Sequence, residues 1–196
     1  MADQKHLFFF VGRIASGKET QSKLLADKLG YKIFMTGQRF RDIVASGSLL
    51  GNRIKADYEK GLLMPSWVAN YMLEDFLFNL PPEDGAIFEG SGRDLDQAKV
   101  VEEVCTWLGR EYTVLNLDVS EEEVIKRSLL RGRDTADKDE SVIRMRLSEY
   151  NRLTKPAIDY FNSIGKCIDV NGEQAPDEVH MEVMAKAKEA LAKVGQ

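Results

Sequence analysis

The chain holds only two cysteines and two histidines in 196 residues, and it has no long apolar run. Cys105 and Cys167 lie far apart, which excludes a disulfide framework and metal-ligand spacing. Two lone thiols suit a reducing compartment and read as buried core side chains. His6 and His180 are too few and too distant to build a metal cluster, and both read as solvated or packed side chains. The apolar stretch at residues 7–11, closed by Gly12, is too short for a signal peptide's apolar region and far short of a membrane span. A cytoplasmic protein without a membrane partner is expected. A basic excess is missing too. With 27 Lys and Arg against 32 Asp and Glu, the net charge of −5 argues against nucleic acid as a partner and favours a small molecule.

What is present is an alternation. Short apolar runs bounded by turn residues recur at 7–11, 31–34, 86–88, 113–119 and 167–170, each the length of a strand buried on both faces. Helical spacing appears between them in Leu24, Leu25 and Leu29, in Val68, Tyr71, Met72 and Phe76, and in Val100, Val101, Val104 and Leu108. Strand-helix alternation implies an α/β fold with a mostly parallel sheet covered on both faces, and ligands outside the carboxyl ends of its strands. Pro65 fits the first turn of a helix and Gly61 the end of the one before, so 36–64 reads as a helical insertion. Residues 131–140 are charged and lack apolar side chains apart from Ala136, as an exposed loop does. The tail after Pro176, with Met181, Val183 and Met184, reads as core packing.

The chemistry-bearing motif is Gly12-Arg13-Ile14-Ala15-Ser16-Gly17-Lys18, which follows the first strand and precedes a helix. In that context the G-x-x-x-x-G-K pattern is a cradle for a nucleotide triphosphate: backbone N–H groups and the positive helix end face the phosphates, and Lys18 adds a point charge. The Ser or Thr usual after the lysine is replaced by Glu19, with the Thr20 hydroxyl one place later. A carboxylate ~6 Å from a phosphate charge would cost roughly 3 kcal/mol at an effective dielectric near 20, so Glu19 is expected to point outward. Further on come Thr36-Gly37-Gln38-Arg39-Phe40-Arg41, then Leu62-Leu63-Met64, then Glu89-Gly90-Ser91-Gly92-Arg93 with Gln97 behind it. With Arg127, Arg131, Arg133, Arg144 and Arg146, these predict strand ends ringed by arginines, a setting for several phosphates.

In this order the motifs resemble the adenylate kinases, and more widely the nucleoside monophosphate kinases, over nearly the whole chain. The resemblance implies a P-loop NTPase fold in one domain: a core of 1–35, 65–131 and 141–196, an NMP-binding insertion at 36–64 and a short lid at 132–140. It implies that Gly12, Ala15, Ser16, Gly17, Lys18, Glu19 and Thr20 hold ATP. It further implies that Thr36, Gly37 and Arg41 grip the monophosphate, where Gln38 replaces the family's aspartate, and that Leu62, Leu63 and Met64 lie beside the adenine of AMP. Glu89-Gly90-Ser91-Gly92-Arg93 matches an Asp-Gly-Phe-Pro-Arg turn without its Phe-Pro pair. By the same resemblance Arg93 contacts the transferring phosphoryl group beside Gly90, Glu89 and Thr20 serve Mg²⁺, Glu89 through water, and Gln97 hydrogen-bonds adenine. Arg127 flanks the ATP base, Arg131 reaches the ATP phosphates, and Arg146, on a long helix running through Tyr150, Thr154 and Pro156, binds phosphates. The lid reads Thr135-Ala136-Asp137-Lys138 where the family carries Gly-Arg-x-Asp-Asp, which leaves Arg133 as the nearby substitute.

The implied activity is reversible phosphoryl transfer from ATP·Mg to AMP by a monomer. Lys18, Arg93, Arg131, Arg133 and Arg146 would spread the developing charge, with 36–64 and 132–140 closing over the substrates. Three alternatives stay open: a relative acting on CMP, UMP or a deoxynucleotide, a nucleotide-binding protein without turnover, and a small-metabolite kinase with another acceptor site. Thr36 and Gln97 favour AMP.

Overall fold

A computed structural model of the chain describes residues 4–60, 62–131 and 140–194. Five parallel strands form one sheet: β1 (Leu7–Gly12), β2 (Lys32–Met35), β3 (Ala86–Glu89), β4 (Tyr112–Asp118) and β5 (Cys167–Asn171), in the order β2-β3-β1-β4-β5. In register, Leu7 lies opposite Ala86 and Tyr112, and Phe10 lies opposite Glu89 and Leu115. The predicted strands are all found, shifted at most by a residue or so. Burial on both faces holds for β1 and β3 and for most of β4, but not for the edges: Lys32 and Ile33 on β2 and Asp169 and Asn171 on β5 are exposed. An edge strand has one neighbour fewer to cover it, and spacing along the chain does not reveal which strands become edges.

Alternate β1 side chains feed two cores. Leu7, Phe9 and Val11 pack with α4 (Ser66–Phe78), α5 (Leu95–Leu108) and α8 (Lys155–Ser163). Phe8 and Phe10 pack with α1 (Lys18–Leu29) and α9 (Pro176–Val194) on the other face. Phe9 and Phe88 stack with centroids 4.5 Å apart, and each phenyl ring so buried stabilises the sheet by about 2 kcal/mol. Below the sheet, buried Arg110 donates to the carbonyls of Lys5, Leu80, Pro81, Pro82 and Asp84, tying the α4–β3 turn to β4.

Between β2 and α4 the helices α2 (Thr36–Ala45) and α3 (Leu49–Glu59) share a small core of Phe40, Ile54, Met64, Val68 and Ala69. Pro65 is the N-cap of α4 rather than its first helical residue, and Gly61 lies outside the described residues. The remaining helices are α6 (Glu121–Arg131) and α7 (Glu140–Glu149).

Three expectations need correction. The long helix through Pro156 is α7, a π-helical turn at Tyr150–Thr154, and then α8. Pro156 lacks an N–H and its ring would crowd the carbonyl four residues back, which the wider π turn accommodates. Met181 and Tyr71 are exposed, at 65% and 67%, and Leu24 lies at the surface, because each falls off the buried stripe of its helix. Cys105 is buried as expected, while Cys167 on the edge strand is half-buried; burial pushes both thiols up to about 12.

Candidate active site

β1 is the switch point of the sheet: the chain crosses to β2 and β3 on one side and to β4 and β5 on the other, which opens a crevice at the carboxyl ends. A cavity of about 1240 Å³ lies there.

The turn after β1 forms one wall. Gly12 has φ 136°, and a Cβ on it would stand 2.5 Å from the Leu117 carbonyl oxygen, so only glycine passes β4 so closely. Gly17, at φ 95°, is the N-cap of α1. Ala15 has φ 52°, a left-handed backbone that costs an alanine about 1 kcal/mol. The Lys18 ammonium is buried in the loop and donates to the Arg13 carbonyl at 2.5 Å and to Ser16 Oγ at 3.3 Å. Glu19 forms an ion pair with Lys23 at 2.8 Å one turn along α1 and also lines the cavity, so it turns along the helix rather than wholly away from the site. Gly12, Ala15, Ser16, Gly17, Lys18, Glu19 and Thr20 all line the cavity.

The turn after β3 forms another wall. Glu89 is 8% exposed at the strand end, with a carboxylate oxygen 3.7 Å from Arg93 Nη2. Gly90 lies under the Arg93 guanidinium, where a Cβ would meet Nη2 at 2.6 Å. The Arg93 backbone is held at both ends: its N–H donates to Gln97 Oε1 at 3.1 Å, and its carbonyl accepts from Thr154 Oγ1 at 2.8 Å. Thr36 and Ser91 share a buried hydroxyl contact of 3.0 Å.

Of the predicted arginines, Arg41, Arg93, Arg127 and Arg146 line the cavity. Gln38 Oε1 accepts from both Nε and Nη2 of Arg41, supplying the orientation an aspartate would give without its charge. Arg127 donates to Glu123 at 2.8 Å and to the Gly172 carbonyl at 2.8 Å; its bond to Glu123, with another from Lys126 at 3.2 Å, holds the Glu123 carboxyl below its usual range. Two arginines are displaced from the expected ring. Arg39 lies over the Phe34 ring, and Arg144 pairs with Glu140 on the exposed face of α7, because neighbouring residues on a helix face different ways. The Arg131 side chain, Arg133 and residues 132–139 of the predicted lid at 132–140 lie outside the described residues.

A smaller adjoining cavity of about 70 Å³ shares Gly37, Tyr58, Leu62, Leu63 and Arg93 with the larger one and adds Thr36, Met64, Gly90 and Gln97. Every residue that the resemblance assigned to the site and whose side chain is described lines one or both cavities, while Arg39 and Arg144 line neither. Several participants were given no role of their own from sequence. Gln21, directly after Thr20, is 2% exposed and binds the Pro176 carbonyl and His180. Arg13 lies over the Tyr150 ring at 4.7 Å and donates to Asp118 and the Val119 carbonyl, joining the loop to the π turn. Asp94 holds Gln97. A polar residue at a buried helical position, as Gln21 is in α1, was the available signal. Among the described residues there is no cluster of three metal-ligating side chains and no helix long and apolar enough to cross a membrane.

The model of one protein family, adenylate kinase, matches residues 10–166. The chain is 36% identical over 180 residues to adenylate kinase 1 of Synechocystis sp., covering 91% of this chain and 95% of that protein. It is 35% identical over 182 residues to the adenylate kinase of Thermus thermophilus, with coverage of 90% and 94%. It is 35% identical over 184 residues to that of Mycobacterium bovis, with coverage of 93% and 97%. The chain belongs to the adenylate kinase family, nucleoside monophosphate kinases that transfer a phosphoryl group between ATP and AMP.

Proposed function

We propose that residues 12–18 hold the triphosphate of ATP and that α2, α3 and the segment 62–64 hold AMP, with Arg93 and Arg146 between the two nucleotides. The observation that carries this reading is one continuous cavity lined both by the phosphate loop and by Gly37, Arg41, Leu62 and Leu63. Lys18 moves its two loop bonds to the outer phosphates of ATP, and Arg127 covers the ATP base from α6. Gly37 and Arg41 grip the monophosphate, while Thr36, Leu62, Leu63 and Met64 surround its adenine, and Gln97 reads the base edge. Arg131 and Arg133 add charge from the lid side, and the insertion and lid close to exclude water.

Thr20 and Glu89 both line the cavity and carry hard oxygen donors, a hydroxyl and a carboxylate, which fits Mg²⁺ arriving with the nucleotide. Magnesium takes few protein ligands beside phosphate oxygens and water, so two oxygens suffice. When bound it neutralises charge on the outer phosphates. The transfer itself needs no protein nucleophile: the chain's arginines and Lys18 position the phosphates and stabilise the charge that develops.

The placement is tested by steady-state kinetics on two variants. Arg41→Ala raises KM for AMP at least tenfold with little change for ATP, and Arg127→Ala does the reverse, as lost charge-assisted contacts of about 1.5 kcal/mol or more require. An Arg41→Ala enzyme with raised KM for ATP alone would overturn the assignment of the two ends.

A further inference from the structure

We propose that Asp94 fixes the order of donor and acceptor that Gln97 shows to the monophosphate's base, and thereby selects a 6-amino purine over a 6-oxo purine. The inference rests on the reading above that Gln97 faces that base.

Gln97 is 4% exposed and lines the smaller cavity. The two ends of its amide are alike in shape and opposite in chemistry. Oε1 accepts from the Arg93 backbone N–H at 3.1 Å, and Nε2 donates to Asp94 Oδ2 at 2.7 Å. A backbone N–H only donates and a carboxylate only accepts. Rotating the amide by half a turn would set N–H against N–H at Arg93 and oxygen against oxygen at Asp94. The two contacts together forbid the flipped state.

Asp94 is itself held in place. It is 8% exposed, its Oδ1 accepts from the Gln97 backbone N–H at 2.9 Å as the cap of α5, and its Oδ2 also accepts from the Ser66 hydroxyl at 2.6 Å. One carboxylate thus starts the helix that carries Gln97 and orients the Gln97 side chain. The Asp94 contact reaches no nucleotide, so Asp94 is a positioning residue.

Each end of the locked amide keeps one unused position, an N–H on Nε2 and a lone pair on Oε1. That pair complements a base edge with an acceptor ring nitrogen beside an exocyclic amino donor, as in adenine. A 6-oxo purine presents the reverse, a ring N–H beside a carbonyl, and would need the flipped amide. A site built around a fixed polar pair rejects the mismatched analogue because buried groups are left unpaired. A 4-amino pyrimidine shows the same order as adenine, so the lock does not exclude CMP and IMP is the informative probe.

The experiment compares kcat/KM for AMP and IMP, with ATP·Mg as donor, in the unaltered enzyme and in two variants whose melting temperatures are recorded alongside. Asp94→Asn keeps a capping oxygen but sets an amino group against Nε2. Asp94→Ser keeps a helix cap and removes the second oxygen. The unaltered enzyme is expected to prefer AMP by a hundredfold or more, and both variants to reduce that ratio at least tenfold while KM for ATP stays within twofold. A merely structural role for Asp94 would slow AMP and IMP by one common factor, and an unchanged ratio in either folded variant overturns the proposal. An unaltered enzyme that uses IMP as well as AMP overturns it differently, by removing the reading of Gln97 on which it rests.

Discussion

Glu19 stands directly after the phosphate-binding lysine, where a negative charge is least welcome. Facing a phosphate at ~6 Å, its carboxylate would weaken ATP binding by roughly 3 kcal/mol, more than a hundredfold. In the structure it turns along α1 and pairs with Lys23 at 2.8 Å, with a side chain 32% exposed against 53% for the lysine. An opposite charge at contact distance and open water together reduce the net repulsion to about 0.5 kcal/mol. Glu19→Gln is therefore expected to tighten ATP binding by less than about threefold. Calorimetric titration of ATP at physiological salt checks this, and Lys23→Met should weaken binding by a comparably small factor. A hundredfold gain in affinity for Glu19→Gln would show that the carboxylate faces the phosphates, and would refute the reasoning.

Three further outcomes follow from the packing. Burial holds His6 neutral, lowering it from 6.5 to about 4 against the pull of Glu111 and with help from Lys166, while its Nε2 meets Thr113 Oγ1 at 2.9 Å. The unfolded chain protonates this ring first, so its contribution is full above pH 6.5 and is lost as pH falls through 4; relative to His6→Gln, the protein should lose about 2 kcal/mol between pH 7.5 and pH 5 in urea denaturation. Parallel pH profiles for the two proteins would contradict it. Arg110→Met leaves five backbone carbonyls without their shared donor and should cost about 3 kcal/mol by the same denaturation assay, and a loss within error of zero would contradict that accounting. Ala15→Gly relieves the left-handed backbone in the phosphate loop and should raise stability by about 0.5 kcal/mol, whereas a loss of more than that would show the loop is not strained there.

Much of this architecture could be read before the structure, because apolar runs and glycines act locally. The five strands, the loop from Gly12 to Lys18 and the helical segment after β2 follow from patterns a few residues long. The order of strands in the sheet depends on contacts between distant segments, so the exposure of β2 and β5 was not legible. Residue type identified the arginines, and helix rotation then divided them: Arg41 and Arg146 face the cavity while Arg39 and Arg144 pack or pair elsewhere. Asp94 escaped notice, and Thr154 was read only as part of a long helix, for a related reason. Their roles lie in bonds to Gln97 and to the Arg93 carbonyl, and a side chain's bond to another residue leaves no periodicity. The π turn is the plainest case, since Pro156 signals trouble for a helix without saying whether the chain breaks, kinks or widens.

The central claim is that phosphoryl transfer runs on the loop closed by Lys18. Its most direct test is ADP formation from ATP·Mg and AMP by the unaltered protein and by Lys18→Met, with CMP, UMP and no acceptor run beside them. The account predicts AMP-dependent ADP production that falls at least about a hundredfold in the variant, as removal of one preorganised charge at the reacting phosphates requires. Full turnover by Lys18→Met would contradict it.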